Sequence, residues 1–332
     1  MTTGNNKSSE KGASAFDAKR LWQPLIMAIM VFLGARAQRL SRPAAMRMGA
    51  RLGRLTCLLA VSKRRTANRN LRMAFRDTLT LVERDALIRR VFVHFAKSAI
   101  DFLRAAAMTR DEIERLTVCE GRDYLEAAVS GGRGVVILTA HLGNWEVLGR
   151  WLAGHGYRLT VVAREPDSPV FARYIRHMRE NSGFRVLNKG ASARELLSCL
   201  RRREAVALLA DQNSGDLFVP FFGVPAGTVA GPASLALHTG AALIPAYCVR
   251  EPNDSYRILI REPIPAVRTE DHDADIARIM AEANRVLEDV VRQYPDQWLW
   301  FHNRWRSAFE EKNRPRLPPG FDQDALRALV RD

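Results

Sequence analysis

The chain has 332 residues, enough to bury a sizeable core, and its 47% hydrophobic content excludes a fibrous or wholly disordered protein. Its 51 Lys and Arg against 36 Asp and Glu leave a formal charge of +15, weighted to arginine, which points to a polyanionic partner: anionic lipid, an acidic protein or nucleic acid. Cys57, Cys119, Cys199 and Cys248 lie far apart with no C-x-x-C spacing, which argues against a zinc site or a disulfide framework and for reduced thiols.

Residues 1–15 are rich in Gly, Ser, Thr, Asn and Lys and read as a disordered tail. Leu21 to Ala35 follows, an apolar run interrupted by Gln23, with Arg36, Arg39, Arg42, Arg47, Arg51 and Arg54 crowding its carboxyl side. The run lacks the small-residue cleavage site of a signal peptide and is shorter than the roughly 20 apolar residues that comfortably span a bilayer. Two membrane readings stand, a short spanning helix and a helix lying in the interface, beside the plainer one of a buried amphipathic helix. By the positive-inside tendency the arginines place that side, and the bulk of the chain with it, in the cytoplasm. Residues 43–61 add a second helix in which Met46, Met48, Leu52, Leu55, Leu58 and Leu59 are set among arginines, a composition suited to an anionic lipid surface. Residues 16–62 are therefore read as a membrane-associated helical segment, 63–308 as one α/β domain and 309–332 as a charged, Pro-rich tail.

Within the domain, residues 63–77 are basic and end in a polar turn. Leu87, Val91, Phe95, Ala99 and Phe102 stand near helical spacing and predict a helix from Leu81 to about Met108 that packs on a sheet. From residue 118 strands alternate with helices: strand Val135–Ala140, helix Trp145–His155, strand Leu159–Arg164, helix Pro169–Asn181, strand Phe184–Leu187, helix Ala191–Arg203, strand Ala205–Ala210. That alternation predicts an α/β fold, a mostly parallel central sheet flanked by helices with right-handed crossovers. Ala242–Arg250 and Arg257–Arg261 read as an antiparallel pair around Asn253-Asp254, and a long helix runs from about Asp273 to Tyr294. Phe218 to Thr228, F-V-P-F-F-G-V-P-A-G-T, reads as an apolar loop that packs on the sheet or lines a greasy pocket.

Chemistry in such a fold belongs at the carboxyl ends of the strands. There the buried run Val135–Ala140 meets His141, Gly143, Asn144 and Glu146. A turn across Leu142–Asn144 would fold Glu146 back beneath the imidazole, and a His held by a carboxylate is a general base. Read alone, His141 is as easily a structural histidine, Glu146 a carboxylate favoured by a helix N-terminus, and Asn144 a helix cap or a substrate donor. Arg164 ends the second strand, and Asp211 with Gln212 ends Ala205–Ala210. Asp211 is open to the reading of a turn residue, and Arg179 to that of a solvated charge beside Arg173 and Arg176.

The ordered set H-L-G-N-W-E, A-R-E-P with a later R-x3-G, L-L-A-D-Q-N, P-F-F-G, the G-P-A-S-L-A helix and Q-W-L-W-F-H-N-R-W-R resembles the bacterial lipid A biosynthesis acyltransferases, membrane-bound members of the lysophospholipid acyltransferase-like group. The resemblance covers roughly residues 20–308. It implies O-acyl transfer from an acyl thioester, on acyl carrier protein or coenzyme A, to an anionic glycolipid at a membrane surface, with no cofactor and no metal. His141 and Glu146 match the family's HxxxxD/E pair, in which the His takes the hydroxyl proton and the carboxylate orients it. Arg179 and Asp211 match residues linked to activity, and Asn144, Arg164, Gln212, Phe222 and Gly223 complete the implied substrate contacts. Ala163 stands where the family often has Tyr before Arg, and the Pro is shifted by one place. No Ser or Cys is placed as a nucleophile, so direct attack in a ternary complex is expected.

A different lipid acceptor, such as a lysophospholipid, shares this chemistry. A non-catalytic basic membrane-binding protein fits the charge but leaves the motifs unused. A metal hydrolase built on His141, Glu146 and Asp211 lacks further ligands at suitable spacing. No nucleic-acid motif or aromatic stacking stripe appears, so no nucleic-acid partner is expected.

Overall fold

The computed structural model describes residues 24, 27–104, 108–163, 168–188, 193–319, 321–324 and 327. The tail predicted over 1–15, most of the apolar run's first half, and Arg164 with the rest of its turn lie outside the described residues.

The N-terminal part is a helical layer: α1 (27–39), α2 (Arg42–Leu59), α3 (Val61–Phe75) and α4 (Leu81–Arg104). Its seam is set by two glycines of α2. A Cβ on Gly53 would lie 2.5 Å from the Cα of Val93, and one on Gly49 2.9 Å from the Cα of Lys97, so α2 lies directly on the α4 backbone. Ala37, Ala45 and Met46 bury against Ile100 and Leu103, and Met30 and Leu33 of α1 pack on the same cluster. No described helix is long and apolar enough to cross a membrane.

The layer is pinned to the domain by a buried charge network. Asp101 on α4 receives Arg42 Nη1 at 2.9 Å and Arg250 Nη2 at 2.8 Å, and the Tyr256 hydroxyl also donates to it. Two cations and a hydroxyl on one carboxylate satisfy a charge that would otherwise be prohibitive to bury.

The α/β part runs α5 (Arg110–Leu116), β1 (Thr117–Glu120), α6 (Arg122–Ser130), β2 (Val135–Thr139), α7 (Trp145–Gly154), β3 (Leu159–Ala163), α8 (Pro169–Glu180), β4 (Arg185–Asn188), α9 (Ala193–Arg201), β5 (Ala205–Leu209), β6 (Leu217–Phe221), β7 (Val224–Thr228), α10 (Gly231–Thr239), β8 (Ala242–Arg250), β9 (Tyr256–Ile260) and α11 (His272–Gln293). A seven-stranded sheet has the order β1-β9-β8-β2-β5-β3-β4, and every pairing in it is parallel except β8 with β9. The predicted α/β architecture, the mostly parallel sheet and the antiparallel pair around Asp254 are all present; β1 is an additional edge strand.

Every residue of β2 is buried, which is why its sequence is an unbroken apolar run. On one face Ile137, Ala205 and Ala207 pack with Val147, Leu148, Trp151 and Leu152 of α7. On the other, Val136, Leu138 and Val206 pack with α9, α10 and α11.

Two regions differ from the expectation. The apolar loop at Phe218–Thr228 is a hairpin of β6 and β7 whose two-residue turn, Phe222-Gly223, holds φ of 53° and 69°. Positive φ at both turn residues matches the twist of an antiparallel hairpin, while the prolines at 220 and 225 disguise the strands in sequence. Part of the predicted C-terminal tail docks: Asn313 Nδ2 donates to Ser307 O at 3.0 Å and Gln323 Nε2 to Ala308 O at 2.6 Å.

Candidate active site

The site follows from the strand order. β5 lies between β2 and β3; helix α7, which follows β2, sits on one face, whereas the chain leaving β5 passes to the β6–β7 hairpin and α10 on the other. Connections that diverge from neighbouring parallel strands leave a crevice at their carboxyl ends. Thr139 of β2 is in register with Leu209 of β5, so His141 and Asp211, each two residues further on, arrive side by side.

His141 Nδ1 lies 2.8 Å from Asp211 Oδ1, and the His141 backbone N–H donates to Oδ2 at 2.9 Å. Trp298 Nε1 donates to the same Oδ2, also at 2.9 Å. Asp211 is 3% exposed. Burial pushes its carboxyl up, but the His141 ring, the His141 backbone N–H and Trp298 outweigh that, and the net effect holds it below the usual carboxylate range. An ionised carboxylate can only accept, so Nδ1 carries the proton and Nε2 presents its lone pair. The Gln212 side-chain amide donates to Nε2 at 3.3 Å.

The carboxylate that holds His141 is therefore Asp211, not Glu146. The reason is geometric: α7 begins at Trp145, and Glu146 in its first turn is turned toward α8 rather than back under the imidazole. There it pairs with Arg179, whose Nη2 reaches Glu146 Oε1 at 2.5 Å and whose Nε lies 3.1 and 3.2 Å from the two oxygens. Trp145 Nε1 adds a bond at 3.2 Å, and the Trp145 ring meets the His141 ring edge-on at 5.1 Å.

The turn between β2 and α7 is fixed from behind. Gly143 has φ of 64°, and a Cβ there would lie 1.9 Å from Cys248 O, so no other residue fits. Gly143 N–H donates to Gln297 O at 2.8 Å, Asn144 N–H donates to Cys248 O at 2.7 Å, and Gly143 O takes His94 Nε2 at 2.9 Å. Asn144 caps α7, its Oδ1 accepting from Val147 N–H at 3.3 Å and its Nδ2 donating to the Tyr256 hydroxyl at 3.0 Å.

A cavity of about 700 Å³ opens at this point. His141, Glu146, Arg179 and Gln212 line it, together with apolar wall from Leu148, Leu152, Leu159, Val161, Phe184 and Ala207. One hollow thus joins a basic nitrogen to a hydrocarbon-compatible surface. Asn144, Phe222 and Gly223 are not among its described lining. Phe222 packs in the aromatic cluster, 5.5 Å from Phe75, with its N–H on Glu288 at 2.6 Å.

His302, a member of the Q-W-L-W-F-H-N-R-W-R motif to which the sequence pattern gives no chemistry, also lines the cavity. Its Nε2 accepts the Asn213 backbone N–H at 3.0 Å, and burial pushes its pKa down to about 4. Trp298 likewise owes its role to a tertiary contact, its bond to Asp211. Both sit in Q-W-L-W-F-H-N-R-W-R, whose signal was the indole and imidazole donors spaced along a segment that the hydrophobic pattern treats as core. Arg304 of the same segment is buried and donates to Gly227 O and, at 2.9 Å, to Thr228 Oγ1, which fixes the segment to β7. Among the described residues no cluster of His, Cys, Asp and Glu is arranged to hold a metal.

A switch-point crevice in a mostly parallel sheet, with a carboxylate-held imidazole opening on a largely apolar cavity, defines the class: an α/β protein with a candidate catalytic histidine at its strand ends. The chain belongs to the bacterial lipid A biosynthesis acyltransferase family, whose model matches residues 11–307. It is 34% identical over 209 residues to a phosphatidylinositol mannoside acyltransferase of Mycobacterium tuberculosis, a match spanning 60% of this chain and 63% of that protein's length. It is 31% identical over 241 residues to the protein of that name from Mycolicibacterium smegmatis, covering 70% of this chain and 77% of the relative. It is 24% identical over 292 residues to the lipid A biosynthesis palmitoleoyltransferase of Escherichia coli, covering 86% and 88%.

Proposed function

We propose that this protein is a membrane-associated O-acyltransferase that moves a fatty acyl group from a thioester to a hydroxyl of an anionic glycolipid. His141 Nε2 takes the hydroxyl proton, the alkoxide oxygen attacks the thioester carbonyl, the new C–O bond forms as C–S breaks, and the proton passes from His141 to the departing thiolate. Asp211 holds the imidazole in the required tautomer and stabilises its protonated form. The acyl chain lies along Leu148, Leu152, Leu159 and Phe184, and the Glu146–Arg179 pair sits as a fixed polar clamp beside the reacting carbonyl. The single observation that carries this reading is the 2.8 Å contact of His141 Nδ1 with Asp211, which turns the other ring nitrogen to the cavity side, where a substrate hydroxyl would replace the Gln212 amide as its partner.

The donor is a carrier-protein or coenzyme A thioester, and the +15 charge favours such acidic donors. For the acceptor, the family model points to a lipid A precursor, while the higher identity to the mycobacterial relatives favours a phosphatidylinositol mannoside. Both are anionic glycolipids with a free hydroxyl, and the arginine-rich flank of the N-terminal run favours the cytoplasmic face of the inner membrane as the place of reaction.

Purified His141→Ala tests the chemistry, since general-base catalysis contributes about 10²–10⁴-fold. Acyl transfer should fall by at least that range with an unchanged circular dichroism spectrum. A variant with near wild-type turnover removes His141 from the reaction. Mass spectrometry of lipids from cells with and without the protein identifies the acceptor, as a species lacking one acyl group.

A further inference from the structure

A second hollow, of about 930 Å³, lies on the far side of the catalytic turn. Its wall comes from α2, the start of α3, α4 and the 250–254 turn, and its floor includes His94 and Gln297, which also hold Gly143. It is lined by Arg54, Arg64, Arg89, Arg90, Lys97 and Arg250 against three carboxylates. Those carboxylates are already engaged. Asp254 takes Lys97 at 2.8 Å, Asp296 faces Arg90 at 3.8 Å, and Glu251 takes Arg257 at 2.6 Å. Arg250 is spent on Asp101 at 2.8 Å. Arg54, Arg64 and Arg89 make no ion pair among the described residues, so three guanidinium groups line one concavity with Asp85 the further carboxylate in their neighbourhood.

The rim is apolar where water should make it polar. Leu58 lines the groove and is 68% exposed, Leu59 is 74% exposed, and Leu55 and Val61 stand beside them at the corner joining α2 to α3. A contiguous apolar corner fringed by unpaired arginines is a surface that water covers poorly and that an anionic bilayer covers well. An acidic protein would satisfy the arginines and leave the leucines wet.

We infer that this groove seats the phosphate-bearing headgroup of an anionic phospholipid in the membrane, with Leu55, Leu58, Leu59 and Val61 inserted among the acyl chains. The inference deepens the membrane placement proposed above, but the groove binds headgroup whether or not His141 performs acyl transfer. The catalytic turn then has the reactive cavity on one side and the lipid surface on the other.

The test is sedimentation of the full chain with sucrose-loaded vesicles of phosphatidylcholine, with and without 30% phosphatidylglycerol. Wild type and His141→Ala should both prefer the anionic vesicles, so a failed chemical assignment leaves this result intact. Arg54→Gln/Arg64→Gln/Arg89→Gln should weaken partition to anionic vesicles by about 100-fold and leave neutral vesicles unaffected. Leu58→Ser/Leu59→Ser should weaken both, and millimolar inorganic phosphate should displace neither. Thermal melts confirm that the variants fold. Retention of the anionic preference by the triple-arginine variant overturns the inference. So does a variant that binds vesicles normally but loses affinity for an acidic acyl carrier protein, which would assign the groove to that protein.

Discussion

The cavity and the groove are linked through the turn His141–Asn144, whose His141 lines the first and whose Gly143 is held by His94 and Gln297 of the second, yet they handle charge in opposite ways. In the cavity each carboxylate is matched: Asp211 to His141 and Trp298, Glu146 to Arg179. In the groove the cations outnumber the carboxylates and three are left over. A reacting centre needs fixed directions, and paired, buried groups provide them. A surface that meets a bilayer needs a field and tolerates loose geometry, and arginines without ion pairs, two of them exposed and Arg64 half-buried, provide that.

The largest effect sharpens the cavity side. Asp211→Asn keeps the shape but lets the side-chain amide select the wrong imidazole tautomer, and kcat should fall about 10³- to 10⁴-fold. Glu146→Gln should cost less, about 10- to 100-fold, because the imidazole keeps its carboxylate and a Gln oxygen still accepts one bond from Arg179. Steady-state kinetics on the two variants rank them; a larger loss from Glu146→Gln would return the orienting role to the HxxxxE glutamate.

The next effect falls on stability, in the network beneath the groove. Asp101→Ala leaves Arg250 and Arg42 without their shared carboxylate, and uncompensated buried charge costs about 3–5 kcal/mol. Urea denaturation should show that loss, and α2 should exchange its amides faster than β2. Equal protection of the two elements would mean that Asp101 does not tie the helical layer to the domain.

Gly143→Ala is expected to cost somewhat less, about 2–4 kcal/mol, since φ of 64° is unfavourable and the new methyl would meet Cys248 O at 1.9 Å. Activity should fall with stability, because the turn that carries His141 moves. A stable but inactive variant would separate the two.

How much of this was legible in sequence depended on which physical signal placed each residue. The sheet was legible because β2, β3 and β5 are buried runs between amphipathic helices. His141 was legible because a polar residue directly after a buried parallel strand has one place to go. Its partner was not, since spacing along the chain favours Glu146 whereas the partner is fixed by the Thr139–Leu209 register of two strands far apart in sequence. Phe222 and Gly223 looked like pocket lining because apolar, Pro- and Gly-rich sequence does not separate a hairpin from a loop. The positive φ of Phe222 is a property of the turn that the residue type does not announce. The lipid-suited composition of the 43–61 helix was legible, but the groove was not, because its arginines come from α2, α3 and α4. Only tertiary contact shows that Asp254 and Asp296 engage Lys97 and Arg90 and leave Arg54, Arg64 and Arg89 without an ion pair among the described residues.

The smallest effect is in pH and lies at the linking turn. His94 is 5% exposed, donates to Gly143 O, and faces Arg250, Lys97 and Asp101. Burial, with Arg250 beside it, pushes its pKa down to about 3 from the ordinary 6.5. Above pH 6.5 neither the folded nor the unfolded chain protonates this ring. Below it the unfolded chain takes a proton that the folded chain refuses, so stability falls as pH falls, by about 1.4 kcal/mol per unit until the folded value is reached. His302, pushed down to about 4, adds a second slope of the same sign. Urea denaturation at pH 7 and pH 5 should therefore differ by about 2 kcal/mol more in wild type than in His94→Gln, which retains a donor for Gly143 and has nothing to titrate. An unchanged difference would mean that His94 meets water in the folded protein, and the link between cavity and groove would then be open rather than sealed.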